Sequence, residues 1–353
     1  MIATRIEPTT IEALLHDLVA VPSPSHEEAG AVRHLVEWMA GHDYDEAFVD
    51  AAGNAVGIRG SGSRDIVLLG HIDTFGGVLP VRIEDRCLYG RGAVDAKGSL
   101  CAFAAAVAQA DLPPDTRFIV IGAVEEEARS SKGARYATGQ YQPAMCIVGE
   151  PSSWDRLTLG YKGRLLLRWR WEGALAHSAS QVASPPEHAI AFWEHITHHA
   201  AEINLGRESL FSRLDVTLQQ VNSGQDGAFG WAEALIGFRL PPDIDPFKLA
   251  DAFMSQTGDA VIEPYGHELA YLAPRDTELA RVMRRAIREQ GGKTAFVHKT
   301  GTSDMNVVAP AWNCPILAYG PGDSSLDHTP NEHIHLDEYL RAVAVLTGAL
   351  SGL

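Results

Sequence analysis

Cysteine is scarce in this chain: four residues in 353 (Cys87, Cys101, Cys146, Cys314), far apart and with no C-x-x-C pair. That excludes a disulfide framework and a zinc finger, and it points to a reducing, cytoplasmic setting. No apolar run approaches the roughly 20 residues needed to cross a bilayer. Nor does the N-terminus show a basic segment followed by an apolar core, so neither a signal peptide nor a membrane role is expected. Basic residues are also in short supply: 29 Lys and Arg stand against 45 Asp and Glu, for a formal net charge of −16. A nucleic-acid binder carries a basic face, so no nucleic-acid partner is expected.

Several catalytic signatures are missing as well. There is no G-x-S-x-G elbow for a serine hydrolase and no H-E-x-x-H. Around Gly92–Gly98 the order is Lys97-Gly98, where a phosphate-binding loop has Gly-Lys-Ser/Thr, and Gly90-x-Gly92 lacks the third glycine of a dinucleotide fingerprint. No internal repeat or low-complexity segment is present.

What is present is a chain long enough for two domains. Thr9-x-x-Glu12 and Ser25-x-x-Glu28 read as capping boxes that open two amphipathic helices. Strands follow near Ala47–Asp50 and Ala55–Arg59. Three apolar strands then end in polar groups: Ile66–Leu69 runs into Gly70-His71-Ile72-Asp73, Phe118–Ala123 into Glu125-Glu126-Glu127, and Met145–Val148 into Gly149-Glu150. An Ala-rich helix, Leu100–Ala110, lies between the first two. Strands alternating with helices predict an α/β fold with a mainly parallel sheet, whose site lies beyond the carboxyl ends of its strands.

The texture changes over residues 161–271. Leu165–Trp171 alternates apolar and charged residues, and two further strands and two helices follow. This predicts an α+β module inserted between residues 1–160 and 272–353, the two parts of the first domain.

A metal ligand is a neutral imidazole or an ionised carboxylate about 2 Å from the ion. His71, Asp95, one glutamate of Glu125–Glu127, Glu150 and His328 offer five such groups, enough for two ions that share one carboxylate. Paired ions of this kind activate a water and polarise a carbonyl or phosphoryl oxygen. A second glutamate of the triplet is then available as general base.

The motifs Gly70-His71-Ile72-Asp73, Gly90-Arg91-Gly92-Ala93-Val94-Asp95-Ala96-Lys97-Gly98, Glu126-Glu127, Gly149-Glu150-Pro151-Ser152 and His328-Thr329-Pro330-Asn331-Glu332 together resemble the M20 family of metallohydrolases. The resemblance implies a catalytic domain with an inserted lid through which members dimerise, and two divalent ions, zinc or cobalt. It implies that His71 and Glu150 bind one ion, Glu127 and His328 the other, and that Asp95 bridges them. Asp73 would orient His71, and Glu126 would be the general base. A shift of one in the triplet would make Glu125 the base and Glu126 the ligand. Ala176-His177-Ser178-Ala179 resembles the lid segment whose histidine completes the partner subunit's site and stabilises the oxyanion. Asn222 and Arg239 fall near family positions that contact the substrate.

Within the family, Glu126–Ala134, Gly160-Tyr161-Lys162-Gly163 and Lys299–Asn306 are similar to one branch. That branch releases lysine or ornithine from the C-terminal glutamate of a small amino-group carrier protein in lysine and arginine synthesis. On that reading Asp304 supplies an anionic pocket for the lysine side chain, and Lys162, Arg164 and Lys299 are candidates to meet an acidic carrier. The alternative enzyme is an acetylornithine or acetyl-lysine deacetylase, or another small N-acyl-amino-acid hydrolase. The alternative outside enzymology is a non-catalytic binding protein of the same fold.

Overall fold

In the computed structural model, which describes residues 6–177, 179 and 181–353, the strand Arg64–His71 lies at the middle of the larger sheet. Its eight residues include Ile66, Val67, Leu68 and Leu69, all fully buried. An unbroken apolar run of this kind suits a strand covered on both faces. It pairs in parallel with Thr116–Ala123 on one side and Met145–Gly149 on the other. Ile316–Ala318 extends the parallel part beyond Met145–Gly149. Ala55–Arg59 and Arg156–Tyr161 join the flanks antiparallel, and Glu46–Val49 forms an edge.

The helix Lys97–Gln109 is buried along almost its whole length. It packs on the central strands on one side and on helices Pro8–Ala20 and Leu336–Leu350 on the other. Its alanines allow that: a small side chain lets a helix sit close to its neighbours on every face.

The chain divides into two units. One runs to Gly160 and resumes at Ala273–Val297 and Ser303–Leu353; the other is Tyr161–Leu272 with the strip His298–Thr302. The second unit has a four-stranded antiparallel sheet in the order Asp215–Asp226, Phe229–Leu240, Gly163–Ala174, Val261–Glu268. One face buries Leu165, Leu167, Trp169, Ala234, Ile236 and Phe238 beneath helices Pro185–Ile203 and Pro246–Met254. Arg168 and Arg170 alternate onto the solvated face.

Both expected capping boxes at the N-terminus fail. The first helix begins at Pro8 with Glu7 at its cap and no side-chain cap bond. The second begins at Ala29, because the Ser25 hydroxyl donates to the Asp73 carboxylate at 2.7 Å. Glu28 is drawn off too, accepting the N–H groups of His26 and Glu125. Side chains that read locally as caps are thus recruited by more distant partners.

Candidate metal centre

The three parallel strands finish level. His71 lies beside Ala123, and Gly70 lies beside both Gly122 and Gly149. The residues that follow, among them Asp73, Glu125–Glu127 and Glu150, therefore leave from one edge of the sheet. Asp95 reaches the same place from a loop ahead of helix Lys97–Gln109. A Cβ on Gly149 would stand 2.9 Å from the Phe103 ring and 3.0 Å from the Gly70 Cα, and one on Gly70 would stand 3.2 Å from Leu100. Only bare backbone here lets the helix approach closely enough to deliver Asp95. Gly92, at φ +83, turns the loop, and the Asp95–Ala96 peptide is cis.

Two ligand clusters result, His71 with Asp95 and Glu150, and Asp95 with Glu127 and His328; within each, the ligand atoms lie within 4.8 Å of one another. The two oxygens of Asp95 face opposite ways. Oδ1 is 3.1 Å from His71 Nε2, and Oδ2 is 3.1 Å from His328 Nε2, which is also 2.8 Å from Glu127 Oε1. Donors held about 2.1 Å from one tetrahedral ion are roughly 3.4 Å apart, so the donor set fits two divalent cations sharing a carboxylate.

The proton positions favour the same fit. His71 Nδ1 lies 2.9 Å from the Asp73 main-chain carbonyl. A carbonyl only accepts, so Nδ1 carries the proton, and Nε2 faces a carboxylate with its lone pair. Either a second proton or a cation must lie between them. Burial alone would lower the His71 pKa, but hydrogen bonds to Asp73 and Asp95 raise it well above its ordinary value. His328 is pushed up to about 10 by hydrogen bonds to Asp95 and Glu127. Burial, reinforced by neighbouring carboxylates, raises Glu126 and Glu150 against the opposing pull of His71. Cations would relieve that accumulation of buried negative charge.

The glutamate triplet separates cleanly. Glu125 adopts φ +61 and turns away from the clusters; its carboxylate accepts from Ser130 Oγ at 2.6 Å and faces His26 and Lys132. Glu127 joins a cluster. Glu126 is half-buried, with His71, Glu127, Glu150 and Asp304 as its charged neighbours. Asp73 touches more than His71. Its carboxylate lies 3.5 Å from His71 Nδ1, while its two oxygens accept the N–H groups of Glu126 and Glu127 at 3.0 Å each. It thereby holds the Glu126–Glu127 backbone as one piece.

The remaining candidates are not part of either ligand cluster. Asp304 is not on an open loop: it is 2 % exposed, in the first turn of helix Asp304–Trp312 behind the cap Ser303. Burial raises its pKa to about 7, and its Oδ1 has no hydrogen-bond partner. His177, Asn222 and Arg239 belong to the second unit and are exposed. Ser178, of the His177 motif, lies outside the described residues. Arg239 Nη1 donates to Thr302 Oγ1 at 2.5 Å. Asn222 pairs across from Glu233, six residues before Arg239, which is about 20 Å along a strand. Lys162 is a poor docking residue, because its ammonium is buried against Asp215 and the Arg213 carbonyl. Phe75, which belongs to none of the sequence motifs, stacks its ring on His328 with centroids 4.3 Å apart. Only its position two residues after Asp73 could have drawn attention to it.

Fold and paired clusters define a metal-dependent hydrolase. The chain belongs to peptidase family M20/M25/M40, whose sequence profile matches residues 67–352. It is 49 % identical to a LysW-lysine hydrolase of Deinococcus radiodurans over 96 % of both chains. It is 30 % identical to a LysW-lysine/LysW-ornithine hydrolase of Sulfurisphaera tokodaii over 83 % of this chain and 82 % of that one. A metallo-carboxypeptidase of the M20 family from Sulfolobus solfataricus superposes with a TM-score of 0.78 at 19 % identity, covering 97 % of this chain and 98 % of that one. An aminopeptidase from Bacillus cereus gives 0.74 at 17 %, covering 99 % of each. At these identities the two solved structures speak for the fold alone.

Proposed function

We propose that this chain is a two-ion amidohydrolase that releases lysine, or ornithine, from the C-terminal glutamate of an amino-group carrier protein in cytoplasmic lysine and arginine synthesis. The observation that carries the reading is the 49 % identity to the LysW-lysine hydrolase over 96 % of both chains. That likeness takes in the whole molecule and not the ligand motifs alone.

In this reading His71 and Glu150 would hold one zinc or cobalt ion, Glu127 and His328 would hold the other, and Asp95 would serve both. Such a pair of cations supplies an activated water and polarises the amide carbonyl. Glu126 would take a proton at a carboxylate oxygen from the water that attacks the amide carbon and give it to the lysine α-amino nitrogen, so that a C–O bond forms as the C–N bond breaks. Asp73 keeps Glu126 and Glu127 in register through their backbone N–H groups. His177 of a second copy donates to the oxyanion, which makes a homodimer part of the mechanism. The spacing inside the second unit supports this. His177 follows the far end of strand Gly163–Ala174, Asn222 lies toward that end, and Arg239 pairs with Arg164 at the other. One small amide group does not span all three residues of a single copy.

The test offers zinc-loaded enzyme the carrier protein bearing lysine and, separately, acetylornithine, and measures the free amino acid released. Preferential turnover of the carrier-linked substrate is expected. Efficient turnover of acetylornithine alone would assign the small N-acyl-amino-acid reaction instead. Inertness toward both, with no zinc retained after incubation with the metal, would assign a binding protein.

A further inference from the structure

His71 ends a strand, and Glu127 and Glu150 follow strands, whose register the sheet fixes. Asp95 and His328 do not. Each lies in a loop outside the sheet, the first shaped by Gly92 at φ +83 and the second by His328 itself at φ +60. Their separation must be set by something else, and Glu332 is placed to set it.

Glu332 is 1 % exposed, four residues beyond His328. Its Oε1 accepts the N–H groups of Val94 and Asp95 at 3.1 and 3.2 Å, and its Oε2 accepts from Arg91 Nη1 at 2.7 Å. The Glu332 carbonyl accepts the Gly90 N–H at 3.2 Å, and Arg91 Nη1 also donates to the Thr329 carbonyl at 3.3 Å. Every one of these bonds ties the Gly90–Asp95 loop to the Thr329–Glu332 segment. Both carboxylate oxygens are engaged by them, and Glu332 belongs to neither ligand cluster.

We propose that Glu332, braced by Arg91, is the positioning residue that fixes the bridging carboxylate of Asp95 against His328, and so governs the ion held by Asp95, Glu127 and His328. The inference rests on the two-ion reading. That ion depends on both tied loops, whereas the ion at His71, Asp95 and Glu150 depends on one. Losing Glu332 should therefore weaken the two ions unequally.

Metal-free protein is titrated with zinc in competition with a chromophoric chelator, as wild type and as Glu332→Ala, Glu332→Gln and Arg91→Ala. His328→Ala serves as a reference that lacks one ligand of the second cluster only. Glu332→Ala should weaken one of the two ions by about 10–100-fold, the usual cost of losing an outer hydrogen-bond partner of a ligand. The ion it retains should match the affinity of the one retained by His328→Ala. Glu332→Gln keeps an oxygen for the two N–H groups and should recover most of the loss. Fewer than two ions on the wild type would overturn the two-ion reading itself. Two ions on the wild type with both affinities unchanged in Glu332→Ala, or both lowered equally without rescue by glutamine, would overturn the positioning role. If Glu332→Ala does not fold, as judged by circular dichroism of the metal-free protein, Arg91→Ala decides on the same criterion: unequal weakening supports the role and equal or absent weakening overturns it.

Discussion

Glu126 stands where burial and three other carboxylates crowd it, while Glu125, one residue earlier, faces His26, Ser130 and Lys132 at the side of the loop. The left-handed backbone at Glu125 is what turns adjacent side chains to such different surroundings. Glu126→Gln should keep both metals and lower kcat by about 10²–10⁴-fold, the usual contribution of a positioned base. Glu125→Gln should leave kcat near wild type. Steady-state kinetics with metal analysis of both variants checks this, and a collapse of activity in the Glu125 variant would move the base by one residue. The sequence alone could not separate the two, because three identical residues in a row offer no internal contrast.

The helix Lys97–Gln109 acts as a strut between the sheet and Asp95. It sits close because Gly70, Gly122 and Gly149 stand side by side across three strands, where Leu100 and Phe103 fill the space of the missing side chains. Gly149→Ala would press a methyl group into the Phe103 ring and the neighbouring backbone. Overpacking of this kind costs about 1–3 kcal/mol, so the thermal midpoint should fall by several degrees, and the metal-loaded protein should lose activity as Asp95 is pushed from its place. Calorimetry of wild type and variant is the check; an unchanged midpoint would show that the helix can yield. The strands themselves were legible, since unbroken apolar runs such as Ile66–Leu69 leave little else to be. The helices Lys132–Gln140 and Asp304–Trp312 were not read, as neither carries a long apolar stripe.

In the whole molecule the inserted unit announced itself by alternating residues such as Leu165, Arg168 and Trp169, but the strip His298–Thr302, which belongs with it, did not. A five-residue strip is too short to carry a pattern, and only contacts assign it. The proposed homodimer is tested by mixing. His177→Ala should lower the rate with little loss of metal, and Asp95→Ala should be inactive. Unfolding and refolding the two together should restore part of the activity, because one of the two sites in a mixed dimer regains both residues. No recovery in mixtures shown to contain mixed dimers would place His177 outside the partner's site.

Sequence by itself determined the candidate ligands and their order: a histidine, an aspartate and glutamates placed at the ends of apolar strands or beside glycines. These are local signals, since a strand's period and its termination are written in neighbouring residues. Tertiary structure decided which glutamate turns inward, that Asp73 grips the Glu126–Glu127 backbone from 53 residues away, and that Glu332 grips Val94 from 238 residues away. Those assignments depend on which distant groups a side chain meets after folding, and hydrogen bonds between such groups leave no periodic trace in the chain.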